Sequence, residues 1–141
     1  MNLFIAILIT ILIAIMVTWT FVYYCNADEI PFTKENIIRA AVGEASGEGY
    51  QGLLAVATAI YNRGTLKGVY GVNAKHIESE PEWVWKMASR AQKQAKKAYF
   101  EGVPMHSGTH WENIKAFGTP YWVEDMIKVY EYKDHIFYKE K

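Results

Sequence analysis

A single cysteine, Cys25, rules out an intramolecular disulfide, so the fold must rest on its packed core. Neither sign of charge is in excess, with 15 Lys and Arg against 15 Asp and Glu, and this excludes the strongly basic face of a nucleic-acid-binding domain. Internal repeats and low-complexity tracts are missing, which excludes a solenoid and a disordered tail. Charge itself is missing from Met1 to Ala27, and every Asp, Glu, Lys and Arg lies beyond that point.

What fills the uncharged stretch is an apolar run from Leu3 to Val22, interrupted by Thr10, Thr18 and Thr20. Twenty helical residues reach about 30 Å, the thickness of a bilayer's hydrocarbon core. Trp19, Tyr23 and Tyr24 sit at its end, where amphipathic rings favour the headgroup level. The expectation is one N-terminal transmembrane helix in residues 1–27, followed by a domain in residues 28–141. A cleaved signal peptide is the alternative, because Cys25-Asn26-Ala27 offers small residues before Asp28, although a basic leading region is missing. A lipid attachment at Cys25 is disfavoured, since Val22-Tyr23-Tyr24 lacks small residues.

The remaining chain has room for one modest domain. Thr33 is placed to cap a helix over Lys34–Ala45, with Glu35 in its first turn and Ile37, Ile38, Ala41 and Val42 at helical spacing. Ser46-Gly47-Glu48-Gly49 breaks it. A second helix follows over Tyr50–Arg63, with Leu53, Val56, Ala57, Ile60 and Tyr61 on one stripe, and Gly64 ends it. Gly64 to Ala74 reads as a loop. Ser79 and Glu82 match a capping box for a third helix over Pro81–Phe100, with Trp83, Met87, Ala91, Ala95 and Ala98 expected inside. Beyond His106, short strands are expected at Thr109–Trp111 and His135–Tyr138, and a further helix at Tyr121–Tyr130. The fold class expected is mainly α, of the α+β kind.

Glu44 is the residue with the most chemical interest. It falls at the C-terminal end of the first helix, where the helix dipole disfavours a further negative charge, and its neighbours are apolar. Both influences raise a carboxyl pKa, as a general acid requires, and such a group can protonate a glycosidic oxygen. A helix-end carboxylate facing solvent fits the same residues, with Glu48 decorating a turn. Gly47, Gly49 and Gly52 are expected to keep the adjoining surface low. His106 and His110 have the spacing of a helical metal pair, but Ser107-Gly108 breaks any helix between them and no third ligand is evident, so no metal or cofactor is expected.

Glu44-Ala45-Ser46-Gly47-Glu48, with Gly52, Ala55-Val56-Ala57 and Asn62-Arg63, resembles the signature of the SleB/CwlJ-type cell wall hydrolases. The resemblance continues at Gly108-Thr109-His110-Trp111, Pro120-Tyr121-Trp122 and His135-Ile136-Phe137-Tyr138. It departs over Leu66–Ile77. It implies a lysozyme-like or resuscitation-factor-like catalytic domain that cleaves peptidoglycan glycan strands as a lytic transglycosylase, with Glu44 as its acid. Glu48, His110, Trp111 and Trp122 are then the expected substrate contacts. Lysozyme-type hydrolysis is the alternative reaction, and a membrane-anchored module that grips glycan without cutting is the alternative of another class. Either the domain is tethered on the exported side of a membrane, or it is secreted after cleavage near Ala27.

Overall fold

A computed structural model describes residues 5, 7, 9–17 and 29–141. The chain divides into two compact units, Met1–Ile30 and Pro31–Lys141. In the first, residues 9–17 are helical and their apolar side chains, Ile9 to Val17, are exposed. Among the described residues no helix is long and apolar enough to cross a membrane. Part of the expected span over residues 3–22, together with Cys25 and Ala27, lies outside the described residues.

The second unit begins with helix α1, Lys34–Ala45, bounded as its capping signal predicts. Thr33 accepts a hydrogen bond from the Asn36 N–H at 3.2 Å, and the Asn36 side chain reaches back to the Pro31 carbonyl. A single 3₁₀ turn, Ser46–Glu48, leads into α2, Gly49–Arg63, which Gly64 closes in the left-handed conformation. The stripe expected on α2 is buried, and so are Ala55, Thr58 and Ala59. A helix apolar on nearly all sides belongs at the centre of its domain. Leu53, Val56 and Ile60 are fully enclosed there, each contributing about 1.5–3 kcal/mol by leaving water.

Two 3₁₀ turns, Tyr70–Asn73 and Lys75–Ser79, occupy the stretch that the sequence leaves as a loop and a helix lead-in. Helix α3 then runs Glu82–Phe100. Its expected capping box does not form. Pro81 takes the cap position in an extended conformation, and the Ser79 hydroxyl instead donates to the His76 carbonyl at 2.7 Å. Of the inward residues expected, Ala91, Ala95 and Ala98 are buried, joined by Val84, Ala88 and Gln92, whereas Met87 is half-buried and Trp83 is 61% exposed. Alanines on that face let α3 pack closely along α2, and an indole there would hold the axes apart. Gln92 crosses the contact to bond the Tyr61 hydroxyl at 2.5 Å.

The C-terminal part is a three-stranded antiparallel sheet of order β1-β3-β2, with β1 at His110–Asn113, β2 at Met126–Tyr132 and β3 at His135–Glu140. The helix expected at Tyr121–Tyr130 is replaced by a 3₁₀ turn, Tyr121–Asp125, and then β2. Ile127, Val129, Tyr130 and Tyr132 suit a pleated strand, and pairing with β3 supplies the hydrogen bonds that a lone helix would have made internally. Trp111 pairs with Phe137, which is fully buried on the central strand. The domain is therefore α+β and mainly helical.

Candidate functional site

The C-terminal end of α1, the Tyr70–Asn73 turn and β1 meet around a cleft of about 790 Å³. Glu44 lies on its wall, half-buried. Each of its carboxyl oxygens accepts one hydrogen bond: Oε1 from the Gly71 N–H at 2.7 Å, and Oε2 from the Trp111 indole Nε1–H at 3.3 Å. Two rigid donors from different parts of the chain thus set the plane in which the carboxyl lies.

The Gly71 contact depends on a close backbone approach. A Cβ placed on Gly43 would lie 1.9 Å from the Gly71 carbonyl oxygen, and one on Gly71 would lie 2.6 Å from Glu44 Cγ and 2.8 Å from the Ala40 carbonyl. Only hydrogen at both positions lets the turn settle onto α1 and deliver its N–H to the carboxyl. Neither glycine carries a signal in the sequence, and Gly71 belongs to the stretch that departs from the family pattern. Tyr70 and Phe117, also unanticipated, line the cleft while remaining 87% and 80% exposed, so they offer aromatic faces at its rim.

His110, Trp111 and Trp122 all line the cleft, as does Glu112. His110 bonds the Thr109 hydroxyl through Nδ1 at 2.9 Å, and its ring faces that of Trp122 at 5.7 Å. Burial and the nearby Arg63 charge hold its pKa below the ordinary histidine value, against an opposing pull from Glu140. Trp122 also meets Tyr138 edge-on at 5.6 Å, so one side of the indole is used in packing. Arg63 borders the cleft and donates to the Lys67 carbonyl at 2.6 Å, and burial pushes its guanidinium pKa down.

Glu48 is not a free surface carboxylate. It is 9% exposed, with Oε1 2.6 Å from His135 Nδ1. Gly52 makes room for it, since a Cβ there would fall 2.4 Å from Glu48 Cβ. Gly52 therefore serves packing rather than a low substrate-facing surface, and Gly47 has open space around it.

His106 lies under the sheet. The Gly108 N–H donates to Nδ1 at 3.0 Å, which leaves Nε2 to carry the proton toward the Ala55 carbonyl at 3.0 Å. With both ring nitrogens engaged in this way, His106 serves the fold. Burial lowers its pKa, against a smaller upward pull from the Ala55 bond. Asn62 completes this support by donating to the His106 and Gly108 carbonyls at 2.8 and 2.9 Å. It thereby anchors the segment that enters β1 and carries Trp111.

Comparison with family models, curated proteins and solved structures finds no match to this chain.

Proposed function

We propose that this chain cleaves peptidoglycan glycan strands between N-acetylmuramic acid and N-acetylglucosamine, with Glu44 as general acid and then general base. The observation that carries the reading is Glu44 itself, a carboxyl oriented through both oxygens on the wall of a cleft rimmed by Tyr70, Phe117 and Trp122. The SleB/CwlJ-like order of motifs supports the same assignment. In the reaction, Glu44 gives its proton to the oxygen bridging the two sugars as that bond breaks. It next takes the proton of the muramic C6 hydroxyl, whose oxygen bonds to the anomeric carbon and closes a 1,6-anhydro ring. A second carboxylate is not required.

Lysozyme-type hydrolysis is the second reading. Glu112 favours it, because it is another carboxylate lining the cleft and would be the group to serve an attacking water. Glu48 is less suited to that task, being enclosed and engaged with His135. The domain itself we read as lysozyme-like, held near the cell wall by the apolar segment of residues 3–22, which would raise its effective concentration at the substrate.

The test is to incubate the full chain, and its Glu44→Gln form, with purified peptidoglycan and to identify released fragments by mass spectrometry. The expected result is anhydromuramic ends from the parent and a loss of roughly a hundredfold or more in Glu44→Gln. Reducing ends would select hydrolysis. Cutting that persists in Glu44→Gln would overturn the role of Glu44, and binding without cutting by the parent would select a glycan-gripping module.

A further inference from the structure

The pair formed by Glu48 and His135 has no part in the reaction just described, yet His135 borders the same cleft. Both residues are buried, Glu48 at 9% and His135 at 5% exposure, and Glu48 Oε2 has no hydrogen-bond partner among the described residues. A carboxylate enclosed with part of its accepting capacity unmet costs stability, and a well-packed apolar side chain of similar volume would avoid that cost. The surroundings nevertheless accommodate it. Gly52 on α2 leaves space beside Oε2, and Lys133, in the turn before His135, donates to the Glu48 carbonyl at 3.1 Å. The turn after α1, helix α2 and the β2–β3 hairpin converge on one polar pair.

We propose that His135 is a substrate-contacting residue of the cleft and that Glu48 is its positioning residue; this rests on the reading that the cleft holds a glycan. Glu48 Oε1 lies 2.6 Å from His135 Nδ1; in the proposal the carboxylate accepts from Nδ1–H, and Nε2 of the neutral ring is the acceptor offered to the ligand. A bare imidazole nitrogen bonds a hydroxyl or amide N–H, the donors that N-acetylated sugars present. A carboxylate that fixes a histidine through its other nitrogen is an arrangement proteins use wherever the exposed nitrogen must keep one orientation. His135 is suited to it because neighbours on both sides hold it: Asn113 of β1 and Tyr132 of β2 are its register partners.

The experiment uses the full-length Glu44→Gln chain in detergent micelles, with histidine rings and tryptophan indoles labelled with ¹⁵N. It is titrated with a soluble tetrasaccharide of alternating N-acetylglucosamine and N-acetylmuramic acid. The expected result is an Nδ1–H tautomer for His135 in the free protein and an Nε2 resonance that moves with added sugar. His135→Asn keeps an N–H for Glu48 but lacks the Nε2 position, so affinity falls about tenfold, the worth of one hydrogen bond to the ligand. His135→Gln reaches the Nε2 position and loses less affinity, whereas a purely structural histidine would give the reverse order. An Nε2–H tautomer, or a Trp111 indole that responds to sugar while the His135 ring does not, would overturn the proposal and leave the Glu44 reading intact. If neither residue responds, the sugar does not enter the cleft, and both readings fall together.

Discussion

Glu44 was singled out by a motif order that resembles the SleB/CwlJ-type hydrolases, since its place near the end of a capped helix fits a solvated carboxylate equally. The groups that orient it were not legible. Gly71 lies 27 residues further along the chain and Trp111 lies 67 residues away, and both act through single N–H donors. A glycine in an aperiodic stretch carries no sign that its amide will be used. Gly43 and Gly71 are needed because backbone meets backbone there, which yields a sharp expectation. Gly71→Ala forces the turn away from α1, costing about 1–3 kcal/mol in an overpacked contact and displacing the donor to Glu44. If the proposed cleavage of peptidoglycan is this chain's activity, it should fall roughly a hundredfold from a displacement on the order of 1 Å, with a measurable drop in melting temperature. A variant that cuts and melts like the parent would show that the close approach is dispensable.

Among the elements, α1 and α2 were legible nearly to the residue, because capping by Thr33, closure by Gly64 and the apolar spacing are all local signals. The inward face of α3 was legible in part: Ala91, Ala95 and Ala98 are buried as expected but Trp83 is not, since alanine and tryptophan are both compatible with burial by pattern alone. Packing against α2 favoured the smaller side chains and turned Trp83 outward. The stretch from Met126 to Tyr132 was misread for a related reason: a strand is stabilised by partners elsewhere, here β3, and its own spacing records this weakly. Asn62 is the link between α2 and the sheet, of which β1 and β3 were expected and β2 was not. Replacing it with alanine removes two hydrogen bonds to carbonyls of the segment entering β1, at a cost of about 1–3 kcal/mol. Chemical denaturation should register that loss, and the Trp111 indole should show it as a change in its N–H resonance. Stability equal to the parent would mean that β1 is held by its pairing with β3 alone.

For the whole molecule, acid sensitivity follows from two histidines whose folded-state pKa values are lowered by burial, His106 and His110. A group that resists protonation in the fold but takes a proton freely when unfolded contributes stability above its unfolded pKa, here 6.5. That contribution is lost as pH falls below this value toward the lowered folded-state pKa values, because the unfolded chain then binds more protons. The melting temperature should therefore decline as pH drops below about 6.5, and the slope should lessen in His106→Gln if that variant folds. A flat profile from pH 7 to pH 5 would remove His106 from this role.

By itself the sequence determined the balance of charge, the dependence on a core rather than disulfides, the uncharged N-terminal segment and the first two helices. Each is a matter of composition or of spacing within a few turns of chain. Tertiary structure alone decided that Gly71 and Trp111 orient Glu44, that Glu48 turns inward to His135, and that Tyr70 and Phe117 rim the cleft. Those outcomes depend on which surfaces meet once α2 is enclosed, and contacts between residues so far apart in the chain leave no periodic trace in it.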